Sequence, residues 1–343
     1  MADLGERLKM ARRMAGLSLR ATGEAAGVSH TAVAKYERGQ MVPSSAVLLR
    51  LAQALGVELD YLFRPASVVL TAKGVHYRCQ KRRGAKDRRR IEGLVAEYLE
   101  RFIEAERLFG APASFSTPPI DRHASSLEDV ERIALALREH WHLGNAPIVN
   151  LMALLEDRAV RVCVIAGCDG FDGLGAWVAD GIPVIGVQRG IPGDRQRFSL
   201  AHELAHLLLD LAPEVYPEKA AHRFAGAFLA PEPSVRAELG ARRQALDLRE
   251  LDLLKHKYGL SMLAWVHRAR DLQIIDEATY RRICRAFARE GWKKREPWEQ
   301  VPPEEPQRLR QLVYRALGER MISRSRAEEL LSQPLVELEA ATA

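Results

Sequence analysis

Three residues in the stretch RQRFSLAHELAHLLLD, residues 195–210, have the types and spacing to do chemistry: His202, Glu203 and His206. Leu200, Leu204, Leu207 and Leu208 recur at three- and four-residue intervals, the period of a helix with one buried face. On that helix His202 and His206 stand one turn apart on the same side, so both imidazoles reach one cation. Glu203 is turned about 100° away, a direction from which it can hold a water bound to that cation. Divalent zinc lowers the pKa of such a water toward ~7 and makes hydroxide available at neutral pH. Asp194 is the expected N-cap. The plainer alternative is a pair of ordinary surface histidines on an amphipathic helix.

Hydrolytic zinc sites take three protein ligands and keep a further position open, so a third donor is needed. Asp210 continues the histidine series but fails on distance, because eight residues of helix rise about 12 Å. The next candidate is Glu218, in PEKAAHRFAGAFLAP. Pro217 opens and Pro231 follows this second helix, with Ala221, Phe224, Ala225 and Phe228 as its apolar stripe. A short loop, LAPEVYP, can fold it back against the first. Glu218 could alternatively do no more than complement the positive end of its own helix.

The two motifs together, the first helix and E-x-x-A-H-x-F-A-x-x-F-L-A-P, resemble the ImmA/IrrE family of zinc-dependent regulatory peptidases. The segment LGAWVADGIPVIGV is similar to the strand pair before that family's metal helix. The resemblance covers roughly residues 124 to 275. It implies that Glu218 is the third ligand, that Glu203 is the general base, and that the substrate is a protein, commonly an XRE-type repressor. Where that family usually has Asn, this chain has His222. His222 shares a face with Glu218 four residues away. It can orient a ligand through a hydrogen bond or donate to the reacting carbonyl. If it binds metal, the site has four protein ligands and is closed.

These residues need a scaffold, and 343 residues allow two or three domains. No apolar run approaches the ~18 residues of a membrane span, and no signal-peptide core opens the chain. Four cysteines, Cys79, Cys163, Cys168 and Cys284, match no zinc or redox spacing. Isolated thiols without an export signal point to a reducing cytoplasm. The net charge of +6 points weakly to an anionic partner.

Residues 1–66 read as five short helices. Leu4, Leu8, Ala11 and Met14 line the first; Ser18, Ser29 and Ser44 can cap the next three; Gly27 and Gly39 end the second and third. The pattern LSLRATGEAAGVSHTAVAKYERGQMVPS resembles the XRE-type, phage-repressor-like helix-turn-helix domain. That resemblance implies DNA contacts from the third helix by His30, Thr31 and Lys35. Arg38 and Arg50 are the expected phosphate contacts. Relatives often begin the second helix with Gln, where this chain has Leu19, which removes one common contact. The alternative role is dimerisation or docking.

Residues 67–123 form the expected connector. SVVLTAKGVHYRC has strand character, nine Lys/Arg and one Asp lie between Lys73 and Arg90, and a long amphipathic helix follows to Leu108. The basic run reads as a solvated loop and helix start, with phosphate contact as the alternative. Residues 124–275 form the expected zincin-like unit: a helix capped at Ser125 or Ser126, a second helix NLMALLEDR, and three strands with a turn at Asp180-Gly181. His140 and His142 lie two apart and suit no shared metal. Residues 248–275 look like a second helix-turn-helix, with Gly259 at the turn and Ser261 capping. The tail, residues 276–343, reads as charged helices broken by the loop REPWEQVPPEEPQ. The expected fold is mainly α with a small antiparallel sheet, an α+β arrangement.

The expected function is a transcriptional regulator carrying a zinc endopeptidase, active on an XRE-type repressor or partner in a stress or mobile-element response. Double-stranded operator DNA, a protein substrate and a second copy of the chain are the expected partners. Two imidazoles and a carboxylate also suit manganese or iron. The alternatives are a one-component transcription factor whose peptidase-like part senses a ligand without cleavage, and an antitoxin or immunity component.

Overall fold

The computed structural model describes residues 2–64, 76–79, 85–168, 170–178 and 181–335. Two compact units emerge: one from residues 1–70, 79–112 and 309–343, the other from residues 71–78 and 113–308. The expected boundaries at 123 and 275 therefore move. Residues 276–308 belong to the second unit, and only the last part of the tail packs with the N-terminal helices. Among the described residues no helix is long and apolar enough to cross a membrane.

The first unit begins with α1 (Ala2–Met14), α2 (Leu19–Ala26), α3 (His30–Glu37) and α4 (Ser45–Leu55). The expected fifth helix is a 3₁₀ turn, Leu59–Phe63. Ser18, Ser29 and Ser44 each accept a hydrogen bond from the backbone N–H three residues on, satisfying a donor that the helix start leaves open. Gly27 and Gly56 end α2 and α4 in the left-handed region, at φ 65° and 68°. The core gathers Leu8, Ala11, Tyr36, Leu48, Leu51, Leu55 and Leu62. The β1 strand (His76–Cys79) is all of the expected connector strand that lies within the described residues, and residues 73–75 and 80–84 of the basic run lie outside them. The long helix, α5 (Ala85–Arg107), buries Phe102 and Ala105 against Leu309, Leu312 and Val313.

In the second unit β2 (His123–Ala124) leads into α6 (Leu127–His140), α7 (Leu151–Asp157), β3 (Arg161–Ile165), β4 (Phe171–Val178) and β5 (Ile182–Gln188). Ser126 and Asp129 cap α6 reciprocally. Hydrogen bonds from Ser125 and Ser126 hold the Asp129 carboxyl down to about 2. Asp180 of the expected hairpin turn lies outside the described residues; Gly181 sits at φ 73°. The sheet order is β1, β4, β5, β3. It is mixed rather than wholly antiparallel: β4 runs against β5, but β3 runs parallel to β5. The link from β3 to β4 crosses the end of β5 in a few residues, too short for the crossover that parallel partners need. Hence β3 opposes β4 in direction and matches the strand between them.

The layer on the sheet is helical: α8 (Gly193–Leu208), then β6 (Asp210–Leu211), α9 (Pro217–Leu229), α10 (Glu232–Leu239), α11 (Leu248–Tyr258), α12 (Met262–Asp271) and α13 (Glu277–Arg289). One core joins Leu200 and Leu204 of α8, Phe224 and Phe228 of α9, Trp265 of α12 and Ile185 of β5. Gly259 at φ 61° and a Ser261 cap separate α11 from α12, as expected. Two further helices follow among the described residues, α14 (Arg308–Gly318) and α15 (Arg324–Leu331).

Candidate functional site

Helix α8 carries the H-E-x-x-H, and its burial is nearly complete: His202 and Glu203 are both 0% exposed. The helix begins with Gly193, behind Pro192, so Asp194 lies in the first turn rather than at the cap. Asp194 is buried and faces the fully buried Lys255, whose Nζ is 3.9 Å away and also 3.4 Å from Glu296. Burial raises the pKa of Asp194, and the Lys255 ammonium opposes that rise.

The two imidazoles converge as the i, i+4 spacing requires: His202 Nε2 lies 3.2 Å from His206 Nε2. From the first turn of α9, Glu218 brings Oε2 to 3.4 Å from the former and Oε1 to 3.5 Å from the latter. The three side chains offer ligand atoms all within 4.8 Å of one another. The hydrogen bonds from His202 and His206 hold the Glu218 carboxyl far below its usual range, opposing the upward pull of burial. Two neutral-capable imidazole nitrogens and one ionised carboxylate are the donor set of a borderline divalent cation. The residues fit such an ion.

His222 does not join this group. Its Nδ1 lies 2.6 Å from the Glu218 carbonyl oxygen of its own helix, and its ring meets that of His202 edge-on, at 4.7 Å between centroids. It stands beside the ligand candidates. Asp210 is excluded for a different reason than the expected one: α8 has ended, and Asp210 lies on β6, 3.3 Å from His123. His140 and His142 are exposed and outside the group.

Glu203 faces the sheet. A Cβ added at Gly173 of β4 would lie 2.9 Å from Glu203 Oε1 and 3.0 Å from its Cγ; one at Gly175 would lie 3.2 Å from Oε2. The two glycines keep that strand bare where the glutamate passes. Their spacing of two, which places both on one face of a strand, was the only signal in the chain.

Further residues fix the two helices that carry His202, His206 and Glu218. The loop through residues 295–307, between α13 and α14, lies across the start of α8: Gly193 N–H donates to Val301 O (2.8 Å), and the Gln196 amide exchanges two bonds with the backbone of Glu304. The Glu304 carboxylate pairs with buried Arg197 and accepts from the N–H groups of Leu151 and Met152 at the start of α7. Arg268 of α12 packs over Gly226 of α9 and donates to Glu131 (2.6 and 2.9 Å) and to Ala230 O. These contacts join residues far apart in the chain, and sequence reading missed them.

In the first unit His30, Thr31, Lys35, Arg38 and Arg50 are all exposed. The first three lie on α3 and Arg38 is its C-cap. Arg50 departs from the expected role in part: its Nε donates to Ala26 O (2.8 Å), tying α4 to the end of α2.

Comparison with protein families agrees with this division. Residues 3–62 match a helix-turn-helix domain family, and residues 169–270 match the IrrE N-terminal-like domain family. The chain thus joins an XRE-type helix-turn-helix domain to a domain of the ImmA/IrrE peptidase family. No curated protein matches it.

Proposed function

We propose that this chain is a DNA-binding transcriptional regulator whose second unit is a zinc-dependent endopeptidase acting on an XRE-type repressor or a partner protein. The observation that carries the reading is the convergence of His202, His206 and Glu218, from two helices, with Glu203 beside them on α8. His202, His206 and Glu218 would hold the ion. When bound, zinc would supply Lewis acidity toward water and toward a peptide carbonyl. Glu203 would take a proton from the attacking water and pass it to the leaving amide nitrogen. His222 would fix the Glu218 end of α9. The helix-turn-helix domain would place the enzyme at an operator, as a homodimer on two half-sites.

One observation favours a second reading: Glu203 is wholly enclosed, which suits a ligand-sensing factor that cuts nothing. Incubation with XRE-type repressors of the same genome, followed by mass spectrometry, separates the two. Zinc-dependent cleavage that Glu203→Gln abolishes while zinc stays bound supports the peptidase. Operator binding that responds to a ligand and survives Glu203→Gln, with no cleavage, supports the sensor.

A further inference from the structure

Two stretches of the chain are strongly basic, residues 73–90 and residues 281–295, and the second begins on α13. Residues 281–295 hold seven cations (Arg281, Arg282, Arg285, Arg289, Lys293, Lys294 and Arg295) and one anion, Glu290. All seven cations are exposed.

Helix α13 arranges them. At 100° per residue, Arg281, Arg285, Arg289 and Arg282 fall within an arc of about 100°. The opposite side, with Tyr280, Ile283 and Phe287, packs into the core of the second unit. Packing therefore fixes the helix's rotation and turns the arginine stripe to solvent.

A solvated helix face ordinarily mixes signs, as Arg315–Glu319 and Arg236–Glu232 do elsewhere in this chain. Here Arg281, Arg285 and Arg289 follow one another at intervals of four, the like-charge spacing that destabilises a helix. Glu277 offsets Arg281 (2.8 Å) and Glu290 offsets Arg289 (2.9 Å), both at the ends of the stripe. Beside the start of α13 lies a basin of about 940 Å³, lined by Arg242, Arg243, Arg270 and Arg282 together with Asp276 and Glu277; Arg243 and Arg270 are paired there with Glu250 and Asp271. Arginine suits phosphate, because its planar fork presents two donors at once.

We propose that the exposed face of α13, continued by Lys293, Lys294 and Arg295, is a second nucleic-acid surface that binds the phosphate backbone of duplex DNA without reading its sequence. From Arg281 to Arg289 the stripe runs about 12 Å at 1.5 Å per residue. One DNA strand presents a phosphate every ~3.4 Å of axis, so three or four phosphates face four arginines. The helix-turn-helix domain in the same chain favours DNA over other polyanions, because tethering raises the local concentration of the duplex it holds. The inference does not depend on proteolysis.

The test uses the full chain and a random-sequence duplex of about 30 base pairs, with binding followed by fluorescence anisotropy over a range of salt. Replacing Arg281, Arg282, Arg285 and Arg289 together by Gln should lower the slope of log K against log salt by about 3, at roughly 0.9 per phosphate contact. Affinity at low salt should fall at least about tenfold. Lys35→Glu with Arg38→Glu, on α3, should leave that share of the slope in place, which separates the two surfaces. The quadruple variant should melt close to the natural chain, since the exposed pairs it loses, Arg281–Glu277 and Arg289–Glu290, contribute little and the like-charge repulsion is relieved. An unchanged slope, a large drop in melting temperature, or equal binding of polyglutamate or of phosphatidylserine vesicles would each overturn the proposal.

Discussion

Gly173→Ala is the sharpest perturbation of the site, because the three heavy atoms nearest the added Cβ all belong to Glu203: Oε1 at 2.9 Å, Cγ at 3.0 Å and Cδ at 3.3 Å. Ordinary contact begins near 3.4 Å, so the carboxylate must retreat by about half an ångström or the strand must yield. Overpacking of this kind costs about 1–3 kcal/mol. A misplacement of ~1 Å lowers turnover ~100-fold, so half that displacement corresponds to about tenfold. None of those nearest atoms belongs to His202, His206 or Glu218, so bound zinc should stay at the natural level. The assay is cleavage rate and zinc content side by side. A double-mutant cycle with Glu203→Asp, one methylene shorter, isolates the cause. If the contact is responsible, the two losses do not multiply, because the shorter side chain leaves room for the methyl. Natural turnover in Gly173→Ala, or losses that multiply fully, would refute the assignment.

Other outcomes follow from the buried network and from α3. Lys255→Met leaves Asp194 and Glu296 buried without their ammonium and should cost about 3–5 kcal/mol at neutral pH, as breaking a buried ion pair does. Burial already raises both carboxyl pKa values. A raised folded-state pKa means stability is lost as pH climbs through it and returns below the ordinary carboxylate range. Urea melts should therefore show the deficit shrinking toward pH ~4; a deficit independent of pH would contradict this. Gly193→Ala drives a Cβ into the Pro302 carbonyl and should loosen residues 295–307, read as faster limited proteolysis in that loop. Lys35→Ala should cost about 1–3 kcal/mol on the preferred operator and little on random DNA, measured by competition binding.

Much of this architecture was legible because it is local. Ser18, Ser29, Ser44, Ser126 and Ser261 announce helix starts by a single bond to the next turn. His202 and His206 are brought together by helix period alone, and Pro217 marks the helix that delivers Glu218. What stayed hidden depends on distant apposition. Lys255, Glu296 and Glu304 look like solvated charges in a helical or loop context, yet partners 33 to 153 residues away bury them. Asp194 has the residue type of a cap, but Gly193 already begins the helix, bonded to Val301. The parallel pairing of β3 with β5 follows from strand order, which hydrophobic pattern does not encode. Arg50 reads as a phosphate contact, and nothing local in the sequence announces its further bond to the Ala26 carbonyl.

The central claim is that His202, His206 and Glu218 together grip one divalent ion. Metal analysis of the purified chain and of Glu218→Ala, both dialysed against the same chelator, tests it most directly. The natural chain should hold one equivalent of metal, and the variant should lose most of it. No bound metal in the natural chain, or the same content in both, would contradict it.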